Sequence, residues 1–395
     1  MANLRILMIV GQFPPSIGGG GQIVYNLSKS LKIYGSENIE KVVVVTTKDK
    51  DGYKNTYQFS KKIDMFLKNT YDVSVKRINA LFSTKSFQIE QAVQEILNIV
   101  RTEQINLIHA HHFISIYLGS IIKESWNIPL VASSYKVPLL YSSQYNRLIK
   151  FDPNYAIFNH ITKLNIDAWI GYSKAFVDEL TKKYGVQSSK VELIYPGIEI
   201  SSFNNEYSIN SRDIISPGRL DERKNYEKLI EEIHDYNNYN NNSKKNVILT
   251  GIPTSKREEK YKKYLINKAN NLDVKLKFLT FKFNEKDKIY GSRYACVLPS
   301  IREGLSLVMI ESLAYGCPLI ISDQANQSDN IIKDGVNGLI FDPNVNGDLM
   351  RRLEDLGDPN LRSKIIDEGK NTIKELFGIE KFVENHLKVY SKLVS

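Results

Sequence analysis

The chain has 395 residues, of which 42% are hydrophobic and 25% charged, and its formal net charge at pH 7 is +9. This composition is typical of folded globular proteins and excludes disordered, collagenous and coiled-coil chains. The length predicts a body of at least two domains, and no apolar run approaches the roughly 20 residues of a membrane-spanning helix.

The charge distribution indicates the kind of partner, and the cysteine content indicates the redox environment. Residues 1–200 hold 23 Lys and Arg against 16 Asp and Glu, a net +7, whereas the remainder holds 30 against 28, a net +2. This bias favours an anionic partner, whether nucleic acid, a phospholipid surface or a phosphorylated small molecule. Two cysteines, Cys296 and Cys317, are too few for a disulfide framework, and a reducing cytoplasm is expected.

Apolar, β-branched runs alternate with amphipathic stretches along nearly the whole chain, which predicts parallel sheets covered by helices. Because thirteen strands are too many for one ordinary sheet, we expect two sheets, with the boundary in the polar segment 201–211. Ligands bind beyond the carboxyl ends of such strands, so two facing domains are expected to enclose a cleft. The polar run 237–242 predicts a surface loop. The predicted strands are residues 4–10, 41–46, 73–78, 106–109, 129–132, 168–171, 191–194, 213–216, 247–250, 274–279, 294–298, 318–321 and 338–341.

A glycine-rich loop joins the first strand to the first helix. It contains four consecutive glycines, Gly18 to Gly21, directly ahead of a helix that begins near Gln22. Bare backbone amides at a helix N-terminus favour a phosphate, because no side chain blocks its approach and the helix dipole attracts negative charge. The spacing fits neither the dinucleotide fingerprint nor the P-loop. The loop is therefore either a phosphate contact through Gly18 and Gly19 or a flexible turn without a ligand.

Residues 57–68 have the pattern of an amphipathic helix. Phe59, Ile63 and Phe66 recur at helical spacing, and several lysines stand beside them. Such a helix is either a contact with an anionic bilayer or an ordinary surface helix.

Two histidines end the fourth predicted strand. His109 and His111 share one side of the strand if it stays extended, because side chains alternate along it. A zinc site would need further ligands, and no Cys, Asp or Glu stands nearby in the sequence to supply them. The alternative is that the two histidines are core or hydrogen-bonding groups. We expect His111 to line the cleft as a hydrogen-bond donor or acceptor.

The first strand of the second domain is followed by Gly218, Arg219 and, five residues later, Lys224. An arginine can bind a diphosphate through two parallel hydrogen bonds, and a lysine can add a compact positive charge beside it. The alternative is that both cations are solvated charges beside a helix start. The loop after the next strand, which begins at Gly251, is expected to take part in donor recognition.

The most specific pattern follows the eleventh predicted strand. It predicts a loop at Glu303 and Gly304 and a helix capped by Ser306. Glu311 then lies on an otherwise apolar helix and needs a hydrogen-bonding partner, which ribose hydroxyls supply. Glu303 is placed to bind sugar hydroxyls, and the amides of Leu305 and Ser306 are placed to face a phosphate. Surface placement of both acids is the alternative.

In this order the motifs resemble those of the retaining glycosyltransferases of family four, which have two Rossmann-like parallel-sheet domains facing across a cleft, the GT-B fold. The resemblance spans nearly the whole chain and includes Gly197, in the run Tyr-Pro-Gly-Ile-Glu. It implies an α/β acceptor domain at 1–205 and a nucleotide-sugar donor domain at 206–378. It also implies that a C-terminal helix at 379–395 packs back on the first domain.

The resemblance also implies roles for individual residues. Arg219 and Lys224 hold the donor diphosphate, Glu303 contacts the donor sugar, Glu311 binds the ribose, and His111 lies near the reacting carbon. No metal or other cofactor is expected, because cations can neutralise the leaving phosphate. The catalytic residues expected are Glu303, His111, Arg219 and Lys224, and the donor-binding residues expected are Gly18, Gly19, Gly197, Gly251, Gly304, Leu305, Ser306 and Glu311.

We therefore expect transfer of a hexose-type sugar from a nucleotide-diphosphate sugar, UDP-sugar rather than GDP-sugar, with retention of the anomeric configuration. The acceptor is expected to be a sugar, lipid-linked or small-molecule hydroxyl in bacterial polysaccharide or glycoconjugate synthesis. No nucleic-acid partner is expected, and the expected location is the cytoplasm, with a peripheral membrane contact left open. The alternatives are a sugar-nucleotide epimerase of the same architecture and a non-catalytic protein that binds an anionic ligand.

Overall fold

The computed structural model divides the chain into two compact units. One comprises Met1–Gly197 together with Ile379–Ser395, and the other comprises Ile198–Gly378. The boundary predicted at 205/206 lies outside the residues that the structure describes. The described residues are 3–15, 19–35, 37–48, 54–79, 86–134, 158–199, 210–280, 285–327 and 329–394.

The first unit is built on a seven-stranded parallel sheet of order β3-β2-β1-β4-β5-β6-β7. The side chains of β4 and β5 are buried along their whole length, as expected when helices cover both faces of a parallel sheet. The chain order reverses between β1 and β4, and the carboxyl ends of strands beside such a switch point are where ligands of this architecture bind. The strands are β1 Leu4–Val10, β2 Ile39–Thr47, β3 Val73–Ile78, β4 Leu107–His111, β5 Leu130–Ser134, β6 Ala168–Gly171 and β7 Val191–Leu193. The helices are α1 Gly19–Tyr34, α2 Lys54–Tyr71, α3 Ser86–Thr102, α4 Phe113–Trp126 and α5 Lys174–Lys182.

The second unit repeats this plan with a six-stranded parallel sheet of order β10-β9-β8-β11-β12-β13. Its switch point lies between β8 and β11, which pair directly. The strands are β8 Asp213–Ser216, β9 Asn246–Leu249, β10 Leu276–Phe278, β11 Ala295–Leu298, β12 Leu319–Ser322 and β13 Leu339–Phe341. The helices are α6 Tyr226–Tyr239, α7 Lys256–Asn271, α8 Lys286–Tyr290, α9 Leu307–Ala314, α10 Asp323–Asn326, α11 Asp348–Asp355 and α12 Pro359–Leu376.

The last helix, α13 (Ile379–Leu393), belongs to the first unit although it follows the second in sequence. It packs against α1 and buries Phe382, Val383, His386, Val389 and Tyr390. In the described part of the chain, no helix combines the length and apolar character needed to cross a bilayer.

The predicted α/β fold with two Rossmann-like parallel sheets is confirmed. All thirteen predicted strands are present in the predicted order, and their ends differ from the prediction by no more than two residues. The prediction of a surface loop at 237–242 is partly wrong, because α6 continues to Tyr239 and the side chain of Asn237 is buried. Its amide bonds both backbone groups of Lys245, at 2.6 Å and 3.0 Å, which satisfies the polar atoms that its burial removes from water.

Candidate active site

A cation and a carboxylate meet at the carboxyl end of β8 and β11. Lys224 ends a short 3₁₀ turn, and its Nζ donates to Oε1 of Glu303, which stands in the loop after β11. Ser300 Oγ donates to the same oxygen at 2.8 Å. Both side chains of the ion pair are less than a fifth exposed. The structure therefore brings together two of the predicted site residues from segments 79 positions apart.

Gly218 makes the close approach of Lys224 to this position feasible. A Cβ at Gly218, whose φ is 154°, would lie 2.7 Å from the hydroxyl oxygen of Tyr226 and 3.2 Å from Cε of Lys224. Gly251 packs on the same turn, since its Cβ would lie 3.0 Å from the carbonyl oxygen of Gly218 and 2.6 Å from Leu220. Both glycines thus have a packing role beside the site, and the contact of Gly251 with a donor stays a prediction.

Arg219 lies on this turn with an exposed side chain, and its carbonyl accepts a hydrogen bond from Tyr226 at 3.2 Å. Asp221 holds the turn by accepting hydrogen bonds from the backbone and guanidinium of Arg223. Burial alone would raise the pKa of Asp221, but the bonds from Arg223 and the positive charges of Arg223 and Arg219 outweigh it and lower the pKa to about 2. Asp221 is therefore a fixed anion that shapes the turn.

Helix α9 begins directly after the loop that carries Glu303. Ser306 precedes its first residue in extended conformation, as predicted, although its side chain makes no capping hydrogen bond. Gly304, Leu305 and Ser306 line a small surface pocket together with Asn326 and Asp329. The contact of the amides of Leu305 and Ser306 with a phosphate stays a prediction.

Glu311 is buried on α9, but its partners differ from the expectation. Its two oxygens accept hydrogen bonds from Lys286 Nζ at 2.8 Å and from the Tyr290 hydroxyl at 2.7 Å. The inference that burial forces ribose to be the partner is therefore wrong, because α8 supplies two protein donors. Each carboxylate oxygen can accept a further bond, so ribose binding remains compatible with this geometry.

Lys286 and Tyr290 are functional candidates that sequence reasoning missed. They stand four residues apart on α8, the spacing that places two side chains on one helix face. Tyr290 is buried and stacks on Tyr315 with ring centroids 5.6 Å apart. Burial, with Glu311 close by, raises the pKa of the Tyr290 hydroxyl well above its ordinary value, so it acts as a donor at neutral pH.

The predicted residues of the first unit lie on different elements. Gly18 is outside the described residues, and Gly19 is the first residue of α1. Gly197 packs against α13, because a Cβ there would lie 2.6 Å from Cβ of Phe382, and its carbonyl accepts a bond from Asn26. This packing explains the glycine without a donor. The donor contacts of Gly18, Gly19 and Gly197 stay predictions.

His111 ends β4 and is fully buried, and its predicted role as a donor or acceptor lining a cleft stays a prediction. Its ring packs on that of His109, with centroids 3.9 Å apart. His109 in turn bonds Tyr390 at 2.7 Å and Ser133 at 2.8 Å. Among the residues that the structure describes, no group of three His, Cys, Asp or Glu side chains is arranged to hold a metal ion.

Burial lowers the pKa of all three histidines in this part of the first unit. The pKa values of His109 and His111 are well below 6.5, and desolvation brings that of His386 to about 4. His386 faces Tyr172, Tyr390 and His109 and donates to the carbonyl of Phe382. These side chains are neutral together near pH 7.

We expect the free energy of unfolding to fall as the pH drops below 6.5. An unfolded histidine takes up a proton near that pH, whereas the native state excludes it from His386 until about pH 4. The contribution of His386 is thus complete above pH 6.5 and is reduced by about 2 kcal/mol at pH 5. Urea unfolding at pH 8 and pH 5 measures this loss, and His386→Gln should show a smaller one. Equal pH dependence in both proteins would contradict the assignment.

Helix α2 exposes apolar side chains as its pattern predicts. Phe59, Met65 and Phe66 are 36%, 54% and 49% exposed, and Lys61, Lys62 and Lys68 are exposed beside them. Asp64 of the same helix forms a paired ion contact with Arg77, which also donates to the carbonyl of Pro14 at 2.6 Å. Contact of this face with a bilayer stays a prediction.

Comparisons with known proteins place the chain. A family profile described as Glycosyltransferase Family 4 matches residues 17–202, and one described as Glycosyl transferases group 1 matches residues 199–372. The chain is 24% identical to an uncharacterized glycosyltransferase of Methanocaldococcus jannaschii over 98% of each chain.

Two further proteins extend these comparisons. The chain is 25% identical to the N-acetylgalactosamine-N,N'-diacetylbacillosaminyl-diphospho-undecaprenol 4-alpha-N-acetylgalactosaminyltransferase of Campylobacter jejuni, over 51% of this chain and 54% of that one. The Anabaena protein HepE, solved in complex with UDP and glucose, superposes with a TM-score of 0.76 at 16% identity, covering 99% of this chain and 100% of its own. Taken together, the two family profiles cover residues 17–372, and both describe glycosyltransferases. The superposition on HepE shows the same fold. The chain therefore belongs to the glycosyltransferases of family four and has the GT-B fold.

Proposed function

We propose that the protein transfers a hexose-type sugar from a nucleotide-diphosphate sugar to an acceptor hydroxyl with retention of the anomeric configuration. The observation that carries this proposal is the pairing of Lys224 with Glu303 beside Gly218, with Glu311 on the helix that follows Glu303. In this proposal, Lys224 serves the leaving phosphate at the carboxyl ends of the adjacent strands β8 and β11, and Glu303 and Glu311 serve hydroxyls of the donor.

In this proposal the donor is held by the second unit. Lys224 and Arg219 neutralise the diphosphate, and the amides at the start of α9 add hydrogen bonds to it. Glu311, oriented by Lys286 and Tyr290, accepts hydrogen bonds from the ribose hydroxyls. Because these cations can stabilise the leaving group themselves, we propose that transfer needs no divalent metal.

The proposed chemistry is a displacement on one face of the sugar. The bond between the anomeric carbon and the phosphate oxygen breaks as the acceptor oxygen bonds to the same carbon, and the departing diphosphate takes the acceptor proton. Lys224 stabilises the charge that develops on the phosphate, where fixed charges contribute most to catalysis. Glu303, held by Lys224 and Ser300, faces the sugar as an anion that stabilises positive charge at the reacting carbon. His111 is proposed to lie near that carbon.

We favour a UDP-sugar over a GDP-sugar as donor, and a sugar, lipid-linked or small-molecule hydroxyl as acceptor. HepE was solved with UDP and glucose, and the Campylobacter relative is named for an acceptor linked to diphospho-undecaprenol. These names support a role in bacterial polysaccharide or glycoconjugate synthesis. A cytoplasmic location, with α2 resting on an anionic membrane face, completes the proposal.

Thermal denaturation with a panel of UDP-, GDP- and ADP-sugars tests the donor. A UDP-sugar present at about a hundred times its Kd is expected to stabilise the protein by about 2.7 kcal/mol and to raise Tm by roughly 3 °C. Product anomers are then read by proton NMR in a chelator-containing buffer, and retention is expected. Donor altered without any acceptor would instead indicate an epimerase, and binding without any reaction would indicate a non-catalytic protein.

A further inference from the structure

A chain of hydrogen bonds joins one face of the last helix to the sheet of the first unit. It runs from Tyr390 on α13 to His109 on β4, then to Ser133 on β5, to Tyr172 after β6, and back to His386 on α13. All five side chains are buried. Because His386 and Tyr390 are four residues apart, they lie on one face of α13. This face therefore contacts the sheet through polar groups, and not only through apolar packing.

The carbonyl of Phe382 fixes the direction of every proton in this chain. A carbonyl can only accept, so Nδ1 of His386, 2.7 Å away, carries the hydrogen. Neutral His386 then has a bare Nε2, which accepts from Tyr172 at 3.3 Å. With its one proton committed, the Tyr172 oxygen accepts from Ser133, whose hydrogen bond lowers the pKa of Tyr172 against the effect of burial.

The same reasoning sets the tautomer of His109. The proton of Ser133 is already donated, so Oγ of Ser133 accepts from Nε2–H of His109 at 2.8 Å. Neutral His109 therefore has a bare Nδ1, which accepts from the Tyr390 hydroxyl at 2.7 Å. The ring plane and the proton position of His109 are thus both determined, and His111 packs on that ring at 3.9 Å.

We propose that α13 is part of the catalytic apparatus: Tyr390 fixes the orientation of the His109 ring, whose tautomer Ser133 sets, and His109 holds His111 in its working position. This inference rests on the proposed function, because it assigns His111 to the reaction. Tyr390, Ser133 and His109 are positioning residues, since they act through His111.

The test is Tyr390→Phe, which keeps the ring and removes only the hydroxyl. We expect kcat for sugar transfer to fall about tenfold, the scale of one lost hydrogen bond, with the KM for the donor within about twofold of the native value. Nitrogen NMR of histidine-labelled protein, which contains six histidines, reports which ring nitrogen is protonated. The proton of His109 should lie on Nε2 in the native protein and stay there in the variant, because Ser133 still accepts it. The signal of the bare Nδ1 should shift in the variant, because this nitrogen has lost its hydrogen-bond donor. His109→Gln identifies the signal.

Tyr294→Phe is the matched control. Tyr294 is a buried tyrosine of the second unit that donates to the carbonyl of Leu353 at 2.8 Å, so its loss costs stability without touching His109. Full kcat in Tyr390→Phe, or an unchanged Nδ1 signal of His109 in that variant, would overturn the inference. If Tyr390→Phe fails to fold, Ser133→Ala removes the acceptor of the His109 proton and must both lower kcat and distribute this proton over the two nitrogens. A native protein that transfers no sugar would refute the proposed function, whereas the tautomer readout needs no turnover and still decides the hydrogen-bond chain.

Discussion

Lys224→Ala is expected to lower kcat for sugar transfer by about 100- to 1000-fold while the KM for the donor changes much less. The ammonium would stabilise charge that grows on the leaving diphosphate, and removal of one such preorganised group typically costs this much. Glu303→Ala should have an effect of similar size, because the variant loses the partner of Lys224 and the anion facing the sugar. Steady-state kinetics with saturating acceptor measures both constants.

The control for this prediction is another ion pair of the same unit. Arg257 and Glu222 form an exposed pair, with side chains 80% and 59% exposed, which contributes little to stability. Arg257→Ala should therefore keep native kcat and Tm. Near-native turnover in Lys224→Ala, with its fold verified by circular dichroism, would refute the role given to Lys224. A fall in the Arg257 variant as large as in Lys224→Ala would show that the assay responds to charge in general.

The fold could be predicted from the sequence because each strand and helix has a recognisable local pattern. Strands such as β1 and β11 are largely or wholly apolar runs, and parallel strands buried on both faces need this pattern. The order of the elements then implies the topology, since strands that alternate with helices form parallel crossovers. The prediction of a surface loop failed at Asn237 because its side-chain amide bonds both the backbone N–H and the backbone carbonyl of Lys245. Composition does not reveal such a contact.

Only part of the candidate site could be predicted from the sequence. Gly218, Lys224, Glu303 and Glu311 stand in short motifs whose spacing is visible, and the structure brings Lys224 and Glu303 into contact. Lys286 and Tyr290 belong to a different segment, on a short helix after β10, and only the tertiary fold places them on Glu311. The same holds for Tyr390, which meets His109 from 281 residues away. Side chains that orient a site residue leave little trace in the sequence, because their partners are set by packing.

The pairing of Glu311 leads to the second large expected effect, on donor binding rather than on turnover. Glu311→Gln keeps the size of the side chain but removes the charge that, in the proposed function, accepts hydrogen bonds from the ribose hydroxyls. Hydrogen bonds to a charged group contribute about 1.5 to 3 kcal/mol each, so we expect the Kd for UDP to rise by about 10- to 100-fold. Isothermal titration with UDP measures the change.

Two comparisons separate ribose recognition from damage to the fold. The native protein should bind UDP more tightly than 2′,3′-dideoxy-UDP, whereas Glu311→Gln should bind both equally, because the hydroxyls no longer meet a carboxylate. Tyr290→Phe removes one hydrogen bond to Glu311 and leaves its charge and its contact with Lys286, so it should lose stability, by about 1.5 to 3 kcal/mol, and keep the discrimination. If Glu311→Gln still distinguishes the two nucleotides as well as the native protein does, the ribose is bound elsewhere, and Lys286 and Tyr290 serve only to satisfy a buried acid.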